Sequence, residues 1–239
     1  MLDLGAFEVL TFDCYGTLVD WEEGIAAAVG GLLARRGIAA GRDEVLALHA
    51  RFEPALQAGP FRTYREILGG VVGRFGEHYG FEPTGPERAA LAESLGQWPV
   101  FPDTVAALAR LAGRYRLAIL SNVDDDLFAA TAPRLEVSFD AVVTAQQVGS
   151  YKPAPAHFHE ALRRLGVSRE GMLHVAQSLF HDVAPARALG IRAVWVDRRR
   201  GRAGGGATPP SAARPDLEVP DLAALADLAG RAGAAPAGS

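Results

Sequence analysis

The fold of this chain is decided by residues 7–20, which read FEVLTFDCYGTLVD. They begin with an apolar run, Phe7–Phe12, whose side chains do not alternate between polar and apolar. Such a run predicts a strand that is buried on both faces, as in a parallel sheet. Asp13 follows it directly, and Gly16 supplies the backbone freedom that a tight turn of N–H groups requires. Because ligands bind beyond the carboxyl ends of parallel strands, Asp13 is a candidate for chemistry.

Further along the chain, strand-like and helical stretches alternate. Four more apolar runs have the length of strands: Leu117–Leu120, Ala141–Thr144, Leu173–Ala176 and Ala193–Val196. Helical periodicity follows or separates them at Thr104–Arg114, Asp125–Ala132, Ala156–Leu165 and Val183–Leu189. Gly166 and Gly190 stand where the last two helices would stop. This alternation predicts an α/β fold with an open, doubly wound parallel sheet.

One long segment, residues 21–98, breaks the alternation because it shows helical periodicity only. The helices are predicted at Ile25–Arg36, Glu44–Gln57, Tyr64–Tyr79 and Glu87–Leu95. We therefore expect residues 21–98 to form a helical domain inserted into an α/β core of residues 1–20 and 99–230. Residues 199–214 are rich in Arg, Gly and Pro and predict a mobile loop. A short helix is predicted at Asp221–Leu228, and residues 231–239 are expected to be disordered.

The composition narrows the class of protein. Hydrophobic residues make up 49% of the 239 residues and charged residues 22%, as is usual for a folded globular protein. The net charge of −4 provides no attraction for a polyanion, so no nucleic-acid partner is expected. No apolar run approaches the roughly 20 residues of a membrane span. With one cysteine, Cys14, and no secretory signal pattern, the sequence favours a cytoplasmic location.

Polar residues follow four of the predicted strands at the point where each strand ends. Asp13 follows the first, and Ser121 and Asn122 follow the second. Lys152, the only lysine of the chain, lies on the loop after the third, and Asp182 lies six residues after the fourth. Since the carboxyl ends of parallel strands meet at one edge, these side chains are expected to converge there.

This arrangement resembles the haloacid dehalogenase superfamily. Phe12–Asp20 is similar to its first motif, Ser121-Asn122 to its second, Lys152-Pro153 to its third and His174–Asp182 to its fourth. The resemblance covers roughly residues 7–197 and implies a hydrolase with a Rossmann-like core. The helical insert stands where that superfamily places a cap domain. A cap that opens and closes over the site is expected.

The resemblance also assigns roles to the residues at the sheet edge. Asp13 would be the nucleophile, forming a covalent ester or acyl phosphate, with Thr17 orienting its carboxylate. Lys152 would keep Asp13 ionised and offset the charge that develops during the reaction. Ser121 would bind a carboxylate of the substrate. Water would then hydrolyse the ester with the help of Asp182 and Lys152.

The residue two positions after the nucleophile distinguishes phosphatases from dehalogenases in this superfamily. Phosphatases carry a second aspartate there, which protonates the leaving oxygen. This chain has Tyr15, whose ordinary pKa near ~10 makes it a poor acid, and the 2-haloacid dehalogenases also have tyrosine. Gln177 stands where the phosphatases carry an acid that helps to bind Mg²⁺. We therefore expect a 2-haloacid dehalogenase that needs no metal or other cofactor.

The leaving halide is expected in a pocket made by Asn122 and an arginine of the cap. Arg51 on the second predicted cap helix is the candidate, and Arg42 or Arg65 could serve instead. Tyr15 is assigned to the same substrate-binding group.

Several positions depart from the dehalogenase pattern. Phe158 replaces a tyrosine, Gln177 and Leu179 replace a serine and an asparagine, and His181 replaces an aromatic residue. Gln177 and Ser178 are then the candidates to supply the missing hydroxyl and amide.

Two alternatives to the dehalogenase stay open from the sequence. One is a Mg²⁺-dependent phosphatase acting on a small phosphorylated metabolite, and the other is a catalytically silent binding module. All three readings imply a small-molecule ligand, and a homodimer is reasonable. Among the six histidines, only His181 is expected near the chemistry. The acidic run Asp124–Asp126 is interpreted as the start of a helix, where carboxylates favour the macrodipole.

Overall fold

A computed structural model of the chain describes residues 2–201 and 207–232. Its sheet has six strands, all paired in parallel, in the order β3-β2-β1-β4-β5-β6. The strands are β1 Val9–Phe12, β2 Arg116–Ser121, β3 Ala141–Thr144, β4 Met172–Ala176, β5 Arg192–Val196 and β6 Leu217–Val219. The doubly wound α/β fold is thus confirmed. Strand β1 is two residues shorter than its apolar run, and the three-residue β6 was not predicted because it is too short to show a pattern.

Strand β1 lies at the centre of the sheet. Phe12 at its end is in register with Ile119 on β2 and with Val175 on β4. All four residues of β1 are buried, as both faces of the sheet are covered. Asp13 therefore leaves the sheet between the ends of β2 and β4, which carry Ser121 and Ala176.

Four helices lie between β1 and β2, where only helical periodicity was predicted. They are α1 Trp21–Arg35, α2 Arg42–Gln57, α3 Tyr64–Tyr79 and α4 Gly85–Ser94, and we call them the helical insert. Helix α1 begins four residues before its predicted start because the Asp20 side chain accepts a hydrogen bond from the backbone N–H of Glu23. Helix α3 has the predicted bounds, with a capping box made by Thr63 and Glu66. The division of the chain into core and cap domains stays a prediction.

The remaining helices pack on the two faces of the sheet. They are α5 Thr104–Ala112, α6 Asp125–Thr131, α7 Ala145–Val148, α8 Ala156–Leu165, α9 Ala184–Ala188 and α10 Leu222–Ala232. A π-helical turn, Leu179–Val183, precedes α9, so the predicted helix Val183–Leu189 starts in a different geometry. In the described part of the chain, no helix is long and apolar enough to cross a bilayer.

The carboxyl-terminal region differs from the prediction. Helix α10 continues through Arg231 and Ala232, which the sequence assigned to the disordered tail, because its face of Leu222, Leu225 and Ala229 is buried. The rest of that tail, residues 233–239, lies outside the described residues, as do residues 202–206 of the predicted mobile loop. Directly after residues 202–206, the backbone N–H of Ala207 donates to the carboxylate of Glu22 at 3.1 Å.

The start of α6 contacts the helical insert through the acidic residues Asp124 and Asp126. The buried carboxylate of Asp124 accepts hydrogen bonds from the backbone N–H groups of Tyr64 at 2.9 Å and Arg65 at 2.8 Å. It makes no such bond within its own helix α6. The acidic run does begin a helix, as the sequence indicated, and the carboxylate of Asp124 in addition caps the first turn of α3 from across the chain.

Candidate active site

The turn after β1 presents the carboxylate of Asp13. The backbone N–H groups of Thr17, Leu18 and Val19 all donate to the carbonyl oxygen of Cys14, which makes a tight loop. Gly16 within this loop has φ of +98°, a conformation that residues with a side chain rarely adopt. The hydroxyl of Thr17 donates to Asp13 Oδ2 at 2.8 Å, so the loop folds back onto the carboxylate that it presents.

Lys152 joins the ends of three strands. Its Nζ donates to Asp13 Oδ1 at 2.9 Å, to Asp182 Oδ1 at 2.6 Å and to the carbonyl oxygen of Leu120 at 2.7 Å. These bonds use all three protons of the ammonium group. The side chain is 1% exposed, so the charge is held in place by its partners rather than by water. Asp13, Lys152 and Asp182 form what we call the floor of the site.

Behind the floor lies a histidine that the sequence reasoning passed over. His174 Nε2 lies 3.0 Å from Asp182 Oδ1, and its Nδ1 lies 2.8 Å from the hydroxyl of Thr11. The expectation that only His181 lies near the chemistry was therefore wrong. A signal was present, because Thr11 and His174 occupy paired positions on β1 and β4. Phe158 is buried and packs edge-on against the His174 ring.

The two carboxylates of the floor have different acidities. Burial raises the pKa of Asp13, although the Lys152 ammonium and the Thr17 hydroxyl oppose this. Burial acts in the same way on Asp182, but Lys152 and the bond from His174 outweigh it and hold the pKa of Asp182 below its usual range. Lys152 is also desolvated, and its two carboxylates nevertheless keep its pKa above the usual value. Asp182 is thus the more firmly ionised of the pair.

Ser121 and Asn122 both border the cavity, but they differ in what they can offer a substrate. The Oγ atom of Ser121 is buried and has no hydrogen-bond partner among the described residues. The amide of Asn122 is already engaged, since its Nδ2 donates to the carbonyl of Lys152 at 3.1 Å and its Oδ1 accepts from the N–H of Lys152 at 2.7 Å. Asn122 therefore fixes the backbone of Lys152, and its place in a halide pocket stays a prediction.

Tyr15 borders the cavity with its ring while its hydroxyl is held elsewhere. The hydroxyl lies 2.8 Å from the Oγ1 atom of Thr131, and the ring packs edge-on against Trp98. Burial raises the pKa of Tyr15 well above its ordinary value. Tyr15 therefore forms part of the wall of the site, and its hydroxyl is not available as an acid.

The π-helical turn brings Gln177, Ser178 and His181 to the cavity. The backbone N–H of Gln177 donates to Thr17 Oγ1 at 3.0 Å, which ties this turn to the nucleophile loop. Ser178 Oγ accepts from the backbone N–H of His181 at 2.9 Å and lies 3.2 Å from its Nδ1. Burial lowers the pKa of His181, so its imidazole is neutral at pH 7.

Opposite the floor, three side chains of the helical insert close the cavity: Glu53, Gln57 and Tyr64, which we call the roof. Trp21 at the start of the insert and Thr208 also line the cavity. The helical insert and the strand ends thus line one shared cavity. The sequence reasoning missed the whole roof, because nothing in the helical pattern shows which polar side chains turn inwards.

None of the three candidate arginines borders this cavity. Arg51 is exposed, stacks over the Phe52 ring and lines a separate open groove with Arg74 and His78. Arg42 pairs with Glu23, and Arg65 pairs with Asp126 at 2.5 Å. In this structure none of the three lies at the cavity, and the expectation of a cap arginine beside the halide stays a prediction. Helical periodicity indicates which helix carries each arginine, but it does not show the direction in which the side chain points.

Asp13 and Asp182 are the carboxylates at the cavity that could hold Mg²⁺, which prefers hard oxygen ligands and keeps several waters. Both already accept from Lys152, and Gln177 at the same cavity is an amide and not an acid. Among residues 2–201 and 207–232, no group of three His, Cys, Asp or Glu side chains is placed to hold a metal ion.

Comparisons with known proteins give relatives of two activities. The chain is 36% identical over 201 residues to a phosphoserine phosphatase from Thermus thermophilus, covering 77% of this chain and 74% of that protein. It is 30% identical over 202 residues to an (S)-2-haloacid dehalogenase from Xanthobacter autotrophicus, covering 80% and 75%.

Solved structures agree with the fold. The defluorinating L-2-haloacid dehalogenase Rha0230 superimposes with a TM-score of 0.79 at 23% identity, covering 94% of this chain and 95% of that one. The Xanthobacter autotrophicus L-2-haloacid dehalogenase with chloropropionic acid covalently bound gives 0.77 at 24% identity, covering 96% and 100%.

A family model for haloacid dehalogenase-like hydrolases matches residues 7–190, which include all four polar strand ends. This match and the relatives identify the chain as an enzyme, so the hypothesis of a catalytically silent binding module loses its support. The chain belongs to the haloacid dehalogenase-like hydrolase family.

Proposed function

We propose that this enzyme cleaves the carbon–halogen bond of short 2-haloacids through an ester formed on Asp13, and that it needs no metal. The observation that carries the proposal is the state of Tyr15. It occupies the position of the phosphatase acid, and its hydroxyl is held by Thr131 with a raised pKa. A halide leaves as a stable anion and needs no proton, whereas the oxygen of a phosphate ester does.

The first step is a displacement at carbon. One carboxylate oxygen of Asp13 forms a bond to the carbon that bears the halogen, and the halide departs with the bonding electron pair. Lys152 keeps Asp13 ionised before the step, and its charge stays beside Asp182 while the charge of Asp13 is consumed. We assign the carboxylate of the substrate to the hydroxyl of Ser121, which has no partner among the described residues.

The second step regenerates the enzyme. Water adds to the ester carbonyl of Asp13, the bond between that carbonyl carbon and the substrate oxygen breaks, and a 2-hydroxyacid leaves. Asp182 is the group placed to orient this water, because its Oδ1 is fixed by Lys152 and His174 while the side chain borders the cavity. The net change is one halide and one proton released for each water consumed.

The Mg²⁺-dependent phosphatase is the second candidate, and one observation favours it: the relative with 36% identity is named a phosphoserine phosphatase. The missing acid at Tyr15 and the amide of Gln177 both oppose it. The (S)-2-haloacid dehalogenase relative covers a similar share of the chain and supports the first candidate.

The test is halide release from both enantiomers of 2-chloropropanoate and from fluoroacetate, in EDTA, by the wild-type protein and Asp13→Asn. We expect release by the wild type alone. Turnover in ¹⁸O-labelled water should place the label in the carboxylate of Asp13, read by mass spectrometry of the peptide that contains it. Mg²⁺-dependent phosphate release from a panel of phosphoesters, without any halide release, would instead establish the phosphatase.

A further inference from the structure

We infer that the natural substrate carries a positively charged group, an ammonium in its simplest form, which pairs with Glu53 in the roof of the site. The inference rests on the proposed use of this cavity as the substrate site. It does not depend on which bond the enzyme breaks, because it concerns the wall that faces the part of the substrate remote from Asp13.

Glu53 is a buried acid whose hydrogen bonding is incomplete. The residue is 6% exposed, and it lies on α2 where the helical insert borders the cavity. Its Oε1 accepts a hydrogen bond from the hydroxyl of Tyr64 at 2.7 Å. In the described part of the chain, Oε2 has no hydrogen-bond donor, and it is not among the fully buried atoms that lack a partner, so it is open to a ligand in the cavity.

The nearest cation-forming group does not fill this gap. Nδ1 of His49 lies 3.9 Å from Glu53 Oε2, which is too long for a hydrogen bond, and neither ring nitrogen of His49 has a hydrogen-bond partner within residues 2–201 and 207–232. The ring is fully buried and packs edge-on against Trp21. Burial lowers the pKa of His49, so the imidazole is neutral at pH 7 and provides no positive charge beside Glu53.

The charges around the cavity point the same way. Three carboxylates border it, those of Asp13, Asp182 and Glu53, against the single ammonium of Lys152. The described lining contains no arginine, so the formal charge of the site is −2. A substrate that carries only a carboxylate would add to this negative excess, whereas an ammonium beside Glu53 reduces it.

The substrate therefore has two unlike ends. Its carboxylate lies at the strand ends beside the unpaired hydroxyl of Ser121, and its ammonium lies at the roof beside Oε2 of Glu53. The carbon under attack lies between them, facing Asp13. The ligands compared below place two and three carbons between the carboxylate and the ammonium.

The experiment measures the binding of stable 2-hydroxyacids, which are the products of the proposed reaction. Two pairs are compared by calorimetry at pH 7 on the full chain: 3-amino-2-hydroxypropanoate with 2-hydroxybutanoate, and 4-amino-2-hydroxybutanoate with 2-hydroxypentanoate. Each pair exchanges an ammonium for a methyl group of similar size. We expect the ammonium member of at least one pair to bind about tenfold more tightly, as a charge-assisted hydrogen bond provides.

Two variants separate Glu53 from a general effect of charge. In Glu53→Gln the amide oxygen can still accept from Tyr64, so the fold is retained, and the preference for the ammonium should fall to about onefold. In Glu93→Gln, an exposed acid of the same insert is changed, and the preference should stay as in the wild type. Equal or tighter binding of the methyl members by the wild type would overturn the inference.

The outcome is separate from that of the proposed function. Binding of products requires no bond cleavage, so a protein that releases no halide but prefers the ammonium ligands disproves the dehalogenase and keeps the inference. Halide release from 2-chloropropanoate without any preference for the ammonium ligands supports the dehalogenase and disproves the inference.

Discussion

The floor and the roof of the cavity are built by opposite principles. Each member of the floor stands at or after the end of a parallel strand, and Lys152 is bonded to both carboxylates within 2.9 Å. The roof stands on two helices of the insert, and its one internal bond joins Tyr64 to Glu53. The floor is thus a closed ion-pair network, while the roof keeps an unpaired acceptor. We therefore propose that the floor carries the chemistry and that the roof carries the choice of substrate.

The sharpest way to break this comparison is to remove the cation of the floor. In Lys152→Met, two buried carboxylates lose their common partner, and the free energy of unfolding should fall by about 3–5 kcal/mol. Halide release should fall by about 10²–10³-fold as the preorganised charge is lost. Urea denaturation and a halide assay measure the two effects.

The matched control breaks an ion pair between insert and core that faces solvent. Arg65→Met removes the pair with Asp126, whose side chains are about half exposed, and should cost less than about 1 kcal/mol. If both variants lost the same stability, the floor would be no more than an ordinary surface pair.

A smaller effect is expected from the hydrogen bond between Thr17 and Asp13. Only the ionised carboxylate attacks, so kcat/KM falls as the pH drops through the pKa of Asp13. Burial raises that pKa and the Thr17 hydroxyl opposes the rise, so Thr17→Val should move the acidic limb to higher pH. At neutral pH, loss of a bond to a charged group should lower kcat/KM about tenfold. The measurement is the pH profile of kcat/KM.

Thr11→Val provides the comparison for this shift. Thr11 has the same side chain and is buried, but it contacts Asp13 only through His174, Asp182 and Lys152. The acidic limb of the kcat/KM profile of Thr11→Val should lie at the same pH as that of the wild type. An equal shift in both variants would mean that the limb reports the whole network and not the Thr17 bond.

Asp124 holds the start of α3, the helix that carries Tyr64 of the roof. Loss of Asp124 should therefore affect the roof and leave the floor unchanged. Asp124→Ala removes the acceptor for two N–H groups at the start of α3 and should lower the free energy of unfolding by about 1–2 kcal/mol. Because Tyr64 then loses its fixed position, KM should rise while kcat changes little. The control is Asp126→Ala, which changes an exposed residue two positions further along the chain. Its effects on KM and on the free energy of unfolding should both be much smaller than those of Asp124→Ala.

The difference between floor and roof also explains what could be predicted from the sequence. Apolar runs placed four of the six strands within one residue at each end, and parallel pairing then brings their polar ends together whatever the surrounding loops do. Asp13, Ser121, Lys152 and Asp182 were predicted to meet for this reason. His174 could have been added from the same register, since it is paired with Thr11 across β1 and β4.

The roof could not be predicted in this way. Helical periodicity shows that α2 has an apolar face, but the rotation of the helix over the sheet depends on contacts distant in sequence, such as that of Asp124 with α3. Glu53 and Arg51 are two residues apart on α2, and so they face different directions. Choosing an arginine for its charge selected the exposed side of the helix and overlooked the acid on the buried side.

The smallest expected effect is therefore the most direct test of the roof. Arg51 stacks on Phe52 in a groove apart from the cavity, so Arg51→Met should leave kcat/KM for 2-chloropropanoate within about twofold of the wild type. An arginine that cradled the departing halide would contribute through charge in a dry site, and its loss would cost about 10²-fold or more. A large loss in kcat would place Arg51 beside the substrate in a closed state of the insert. It would also mean that the acidic roof is remade during turnover, because a cation would then face Glu53.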